Sequence, residues 1–377
     1  MTETTTEFII DENVSACLGQ IKKMATASDI ADVTPVEEFK LLAKAGLLKI
    51  TLPNQLLDFK QKQTKKLLQL LKEVGKANLS VGRIFEGHIN ALYLVHLFAT
   101  DSQKNTWYNK VLNNDALFGV WNTQTSNGVK FVPDNQHLQI AGAKTFCSGA
   151  AIVTHALITG NIDIQHRKGW QMLIMEMSKI GEANIDKSCW KTLGMKASGS
   201  FNVDFTGYKI DNKEFLAEPG QYFKQPFFNG GAIRFAAVQL GGIEAIAEET
   251  LAYLRLLGRM EDPLQNTRIA HIMTAVTAGN LWISQAGDNF DKWVDEPAKS
   301  ADLIAFANMT RTAIEETGIL VMKESNECVG ARGLMHPFII ERLYRDLSFY
   351  LRQPAPDATK LDIATYFFNK FNEEKSA

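Results

Sequence analysis

The stretch FNVDFTGYKI, Phe201–Ile210, alternates apolar and polar side chains from Phe201 through Phe205. A period of two sends Phe201, Val203 and Phe205 to one face of an extended chain, and Asn202 and Asp204 to the other. Four more short runs upstream are apolar or alternate in the same way: ALFGVW (Ala116–Trp121), HLQIA (His137–Ala141), AIVTHALIT (Ala151–Thr159) and WQMLIM (Trp170–Met175). Asn127-Gly128, Asp134-Asn135 and Gly160-Asn161 supply turn residues between them. These runs predict an antiparallel, barrel-like β-domain over residues 115–212.

On both sides the apolar period changes to that of a helix. Leu67, Leu68, Leu70, Leu71 and Val74 form one apolar face, and Ala91, Leu92, Leu94, Val95 and Phe98 another. Residues 1–114 therefore read as an N-terminal helical domain. From about Gly230 the text is helical again, with long periodic stretches at Arg234–Leu257, Thr267–Phe290 and Ala301–Met322. Each exceeds the usual helix of about 11–12 residues, so residues 213–377 read as a C-terminal four-helix bundle. The fold class is mainly α with a central β-domain.

Composition narrows the function classes. Forty Lys and Arg nearly balance 42 Asp and Glu, a net charge of −2, so no nucleic acid or anionic membrane is expected as a partner. No apolar run reaches the ~18–20 residues of a membrane span. Met1–Asp11 has neither the basic nor the apolar region of a signal peptide. Cys17, Cys147, Cys189 and Cys328 are scattered without a CxxC spacing, which points to reduced thiols and a cytoplasmic protein. The seven histidines show no HxH or HExxH pairing, so no metal is expected.

Five segments carry a family likeness in the right order. They are EFKLLAKAGLLKITLP (Glu38–Pro53), GAKTFCSGA (Gly142–Ala150), LGMKASGSFNVDF (Leu193–Phe205), ECVGARGL (Glu327–Leu334) and ERLYRD (Glu341–Asp346). They resemble the acyl-CoA dehydrogenase superfamily, whose patterns at these places read LGEAGLLGISVPEEYGG, GxKxWITNG, MGxRxSxTxxVxF, QxxGGxGY and VERLYRDA. The resemblance covers nearly the whole chain. It implies an N-terminal α-bundle, a middle β-domain and a C-terminal bundle around a flavin. It also implies a homodimer or homotetramer built through the C-terminal helices.

The candidate cofactor residues follow. Phe146 and Ser148 alternate with Cys147 and are expected on one strand face. Read alone, they are a core Phe and a turn Ser; the resemblance turns them to the flavin, with the hydroxyl at the N5/O4 edge. Trp121 and Asn122 end the first strand, where the resemblance puts Asn122 on the flavin pyrimidine and local chemistry alone allows an Asx turn. Gly330, Arg332 and Gly333 form a turn whose amides and charge suit phosphates, or a plain helix end with a surface Arg. Cys147 reads as a small buried hydrophobe, and Arg345 and Asp346 as a structural ion pair. The cofactor is expected to be FAD, with FMN the other option, because GRMEDPLQNTRI (Gly258–Ile269) keeps little of the family's RxQFGxPLxxFQ clamp.

The departure lies in the base. Acyl-CoA dehydrogenation needs a positioned carboxylate to take the α-proton. In most of the family it follows the RDA motif, where Pro354 stands here; in others it precedes an arginine on the first bundle helix, where Ile233 stands. Asp357 is the nearest displaced acid to the first place. FCSG (Phe146–Gly149) resembles the strand-turn of two-component flavin monooxygenases, which often place a His near the flavin; His88 is the candidate, although Gln353 stands where a later family His falls.

The expected function is therefore a flavin oxidoreductase acting on the CH–CH group of an acyl thioester or related small molecule, with altered acid–base chemistry. The alternatives are a monooxygenase using reduced flavin, with His88 or Ser148 handling protons, or a non-catalytic flavin-binding descendant. The partners expected are the small-molecule substrate, a CoA thioester among them, and an electron-transfer protein or flavin reductase.

Overall fold

The structure is a computed structural model that describes residues 10–31, 33–134, 137–352 and 355–376. Residues 1–9, and with them most of the Met1–Asp11 reading, lie outside the described residues, as do Gln353 and Pro354.

Five helices come first: α1 (Glu12–Ala31), α2 (Val36–Lys44), α3 (Thr64–Ala77), α4 (Leu79–Phe98) and α5 (Asp101–Asn114). The ends of α4 and α5 follow local chemistry. The Asn78 side chain accepts from the amides of Ser80 and Val81, and Thr100 and Gln103 form a reciprocal capping box. Each such cap contributes about 1 kcal/mol. The expected stripe Leu67, Leu68, Leu70, Leu71 and Val74 is buried on α3.

Among the described residues ten strands follow, β1 (Phe118–Trp121), β2 (Lys130–Asp134), β3 (His137–Ala141), β4 (Ala143–Cys147), β5 (His155–Ile164), β6 (Arg167–Glu176), β7 (Ile185–Asp186), β8 (Phe201–Asp204), β9 (Lys209–Ile210) and β10 (Phe215–Leu216). One sheet runs β10-β6-β5-β2-β3-β9 with β1 also on β5; a second runs β4-β8-β7. Most pairs are antiparallel, as expected, and the β5–β6 hairpin is the longest. One correction concerns the word antiparallel: β1 and β2 both pair with β5 in parallel. Turn dipeptides reveal hairpins between neighbours only. β3 and β4 separate β2 from β5, which lets the chain return to the same end before pairing.

The rest is helical: α6 (Phe227–Gly230), α7 (Ile233–Leu256), α8 (Pro263–Trp293), α9 (Ser300–Gly333), α10 (Ile340–Tyr350) and α11 (Pro356–Ser376). α7, α8 and α9 pack on one another, α3 packs against α7 and α8, and α11 lies along α9. Pro263 occupies the first turn of α8 behind the Asp262 cap, as its fixed φ favours.

Two of the recognised segments lock the β-region to the C-terminal helices. Asp346 Oδ1 accepts from the amide of Met195 at 2.6 Å and Oδ2 from Arg342 at 3.3 Å. Arg345 bridges to Asp29 on α1 at 2.8 Å and to Glu341. A Cβ on Gly194 would stand 2.1 Å from the Arg345 carbonyl oxygen, so only glycine permits that approach. The motif is thus structural, with Arg345 and Asp346 each serving other partners rather than each other.

His88 belongs to this framework too, which corrects its candidacy as a catalytic group. It is fully buried. Its Nε2 lies 2.7 Å from the carbonyl of Leu48, and its Nδ1 accepts from the amide of Phe118 at 3.0 Å. Both nitrogens are therefore used, with Nε2 carrying the hydrogen, and the ring ties α4 to β1 and to the 3₁₀ turn Leu47–Lys49. Burial lowers its pKa from 6.5 to about 4.

Replacing His88 by Leu orphans a buried amide and a buried carbonyl, and urea unfolding is expected to show a loss of about 2–4 kcal/mol. The lowered pKa fixes the sign of the pH dependence: the stabilisation is complete above about pH 6.5, where the unfolded ring is also neutral, and is lost as pH falls toward 4. Unfolding curves of the native chain between those values test it, and His88→Leu should flatten the slope.

Candidate functional site

A cavity of about 510 Å³ opens between α4, the ends of β1 and β4, the loop into α7, the middle of α9 and the end of α10. That volume falls within the roughly 300–1,000 Å³ typical of small-molecule sites. α4 supplies one wall. Arg83, Glu86 and Asn90 recur at three- and four-residue spacing, so they share a helix face, with Tyr93 beside them. The α7 wall gives Arg234 and Phe235, α9 gives Asn308 and Arg311, and α10 gives Tyr350.

These groups form a connected polar chain. Arg83 donates to Glu86 Oε2 at 2.7 Å. Asn90 donates to the other Glu86 oxygen and accepts from Arg234 Nε. The Arg234 guanidinium lies 4.9 Å from the centre of the Tyr93 ring, a cation–π distance. Glu86 is 3% exposed and Arg234 7%, so the chain works in a low-dielectric wall where each contact counts for more. Burial, aided by Glu86, holds the Tyr350 hydroxyl protonated far above neutral pH. That hydroxyl is buried and has no hydrogen-bond partner among the described residues. An orphaned buried donor on a residue that lines a cavity is a candidate for a ligand contact once the wall adjusts.

The β wall carries the residues expected at the flavin. Phe146 lines the cavity, is 47% exposed and meets Trp190 edge-on at 6.1 Å. Its φ is +54°, in the left-handed region that bulky residues seldom adopt. The β4–β8 register slips between Lys144 and Cys147. This bulge breaks the alternation expected of Phe146 and Ser148, because an extra residue re-aims the side chains beyond it. Ser148 therefore turns inward: its hydroxyl pairs with that of Ser200 at 2.9 Å, and it does not line the cavity. Trp121 also faces the core, 2% exposed, and donates from Nε1 to the Ser148 carbonyl.

Asn122 does line the cavity. Its Oδ1 accepts from Thr159 Oγ1 at 2.6 Å and from Trp170 Nε1 at 3.0 Å, which leaves its amide hydrogens as the donors it can offer a ligand. Lys144 braces it from behind. The buried Lys144 amine donates to the Asn122 carbonyl, Gln124 and Thr159, and burial pulls its pKa down from 10.5 to about 7.

The other expected residues are not brought here. Gly330, Arg332 and Gly333 sit at the far end of α9, where Gly330 breaks the helix at φ +61°, and none lines the cavity. Asp357 is exposed in the first turn of α11 and is likewise absent from the lining. Ile233 is buried at the start of α7. Arg83, Glu86, Asn90, Tyr93, Arg234 and Tyr350 escaped the sequence reading. A signal existed in RIFEGHINALY (Arg83–Tyr93), where charged and amide side chains interrupt an apolar helix along one face.

The residues lining this cavity fit a flavin. Phe146 offers a ring edge, Asn122 an amide donor and Tyr350 an unused hydroxyl around one chamber.

Comparison with known proteins points the same way. The acyl-CoA dehydrogenase N-terminal domain matches residues 6–115 and the C-terminal domain residues 220–351. A probable FMNH2-dependent monooxygenase, SfnC, from Pseudomonas putida is 24% identical over 87% of this chain and 87% of its own. The short-chain specific acyl-CoA dehydrogenase of Bos taurus mitochondria is 22% identical over 83% of this chain and 77% of its own. The crystal structure of TdsC from Paenibacillus sp. A11-2 with FMN and indole superposes with a TM-score of 0.85, at 19% identity, over 95% of this chain and 96% of that one; this likeness establishes the fold. The chain belongs to the acyl-CoA dehydrogenase family.

Proposed function

We propose that the chain is a flavin-dependent monooxygenase that works with reduced FMN supplied by a separate reductase. One observation carries the reading: the acid–base wall of a dehydrogenase is replaced. Ile233 fills one place of the usual base, and Pro354, outside the described residues, stands at the other. Among the described residues Glu86 is the one carboxylate lining the cavity, and Arg83 and Asn90 occupy both its oxygens. The names of SfnC and of the FMN-bound TdsC support FMN over FAD, as does the eroded Gly258–Ile269 segment.

Reduced flavin, when bound, supplies the electrons with which O₂ is activated and one oxygen atom is passed to the substrate. The residues around it bind, orient and dry the chamber. Phe146 would pack against the ring and Asn122 would donate to its pyrimidine edge. The Tyr350 hydroxyl, kept protonated by burial, is a fixed donor to a developing oxyanion. Tyr222, Phe227, Phe228 and Phe235 exclude water from the substrate side. Gly330, Arg332 and Gly333 keep their assignment to the flavin phosphates only across a subunit contact. Exposed Leu281, Ile319, Leu361 and Phe368 on α8, α9 and α11 suit such a homo-oligomer.

The dehydrogenase reading retains one specific support, the presence of Glu86 in the chamber. It requires Glu86 to exchange its present partners for the substrate α-proton.

The two readings separate in an anaerobic cuvette. Butyryl-, octanoyl- or palmitoyl-CoA is expected to leave the bound oxidised flavin unbleached, since a positioned base is worth about 10²–10⁴-fold in rate. Rapid bleaching that disappears in Glu86→Gln would install the dehydrogenase. In the same protein, Phe146→Ala should weaken flavin binding by about 1–3 kcal/mol, measured by fluorescence titration; unchanged affinity would move the flavin off this wall.

A further inference from the structure

The chamber is strongly cationic. Four arginines line it, Arg83, Arg234, Arg311 and Arg352, against the single Glu86. Three of them have carboxylate company. Arg83 is paired with Glu86 and Arg352 with Glu315. Arg311 lies over the Phe235 ring at 5.0 Å and feels Glu315 and Asp362.

Arg234 is different. It is 7% exposed, and among the described residues it forms no ion pair. Its Nε donates to the neutral Asn90 amide oxygen, and its plane rests on Tyr93. Burial pulls its pKa down from the usual arginine value. Glu86 opposes that shift without an ion pair to Arg234, so the desolvated guanidinium lacks a directly bonded counter-charge, which is unfavourable. The fold also clears space for it: a Cβ on Gly231 would stand 2.3 Å from Arg234 Nη2. Asn90, itself anchored on Glu86, holds the side chain by Nε, which keeps the Nη pair as a fork matched to two oxygens of one ligand group. Tyr93, Tyr222, Phe227 and Phe228 line the same cavity.

We propose that the substrate is a small organic anion, a carboxylate, sulfinate or sulfonate on an apolar body, whose head group docks on Arg234. The anion supplies the missing counter-charge, and the aromatic residues cover the body. This rests on reading the cavity as the substrate chamber of the proposed oxygenase, but it concerns binding and is measured without turnover.

Isothermal calorimetry on the purified full chain, with sodium benzoate, benzenesulfonate and hexanoate against neutral benzamide, tests it. At least one anion is expected to bind about tenfold or more tightly than benzamide, the scale of a charge-assisted pair. Arg234→Gln should erase that preference and Arg234→Lys should keep part of it. The native-chain comparison stands by itself if the Gln variant fails to fold. Benzamide binding as tightly as every anion would overturn the proposal, as would a preference that survives in folded Arg234→Gln. Displacement of the bound anion by FMN or inorganic phosphate would also overturn it, by assigning Arg234 to the flavin phosphate. Anion preference together with rapid bleaching by an acyl-CoA would instead remove the oxygenase reading and leave the anion site standing.

Discussion

Helices α3 and α7 touch backbone to backbone, and the chamber depends on that contact. A Cβ on Gly241 would lie 2.0 Å from the Lys72 carbonyl oxygen, and one on Gly75 would lie 2.4 Å from that of Val238. No side chain fits in either place, so glycine sets the distance between the helices. α4 follows α3 directly, after the single capping residue Asn78. Fixing α3 on α7 therefore also fixes α4 beside the start of α7, where Glu86 and Asn90 meet Arg234. The polar chain of the site is a consequence of helix packing in which side chains have been removed.

The β wall is fixed by a second constraint of a different kind. Phe146 is held at positive φ in a bulge, a conformation that costs of order 1–3 kcal/mol for a bulky residue. Its neighbours hold it there: Gly149 N bonds to the Ser198 carbonyl at 2.7 Å, and the Ser148, Ser198 and Ser200 hydroxyls form a buried chain. The outcome is a half-exposed aromatic ring at the mouth of a cavity and a serine turned away from it. Strain spent on aiming one ring at a chamber fits a role in holding a flat cofactor.

Much of the architecture was legible in the residues. The switch from helical to two-residue period, and back, marks where strands replace helices, because burial of one face imposes that period directly. The ERLYRD and LGMKASG segments were recognisable for the same reason that they are structural: Asp346, Arg345 and Gly194 interlock, and few substitutes fit. The parallel pairing of β1 and β2 with β5 was not legible, since non-neighbouring strands leave no turn signal. At the site, the family resemblance singled out Phe146 and Asn122, which line the cavity, whereas Ser148 was misdirected by a bulge invisible to alternation. His88 drew attention as a lone histidine, yet its two nitrogens are consumed by Leu48 and Phe118, long-range partners that no local pattern reports. The residues that make the chamber cationic come from α4, α7, α9 and the turn after α10, so their convergence is a property of the packing alone.

The central claim is that this family member houses an exchangeable reduced flavin rather than a resident dehydrogenase cofactor. The absorption spectrum of the purified protein, with the released flavin identified and its affinity measured in both redox states, tests it most directly. The account predicts little flavin retained on isolation, FMN as the flavin that binds, and tighter binding of the reduced than of the oxidised form. A yellow protein carrying one tightly held FAD per chain would contradict it.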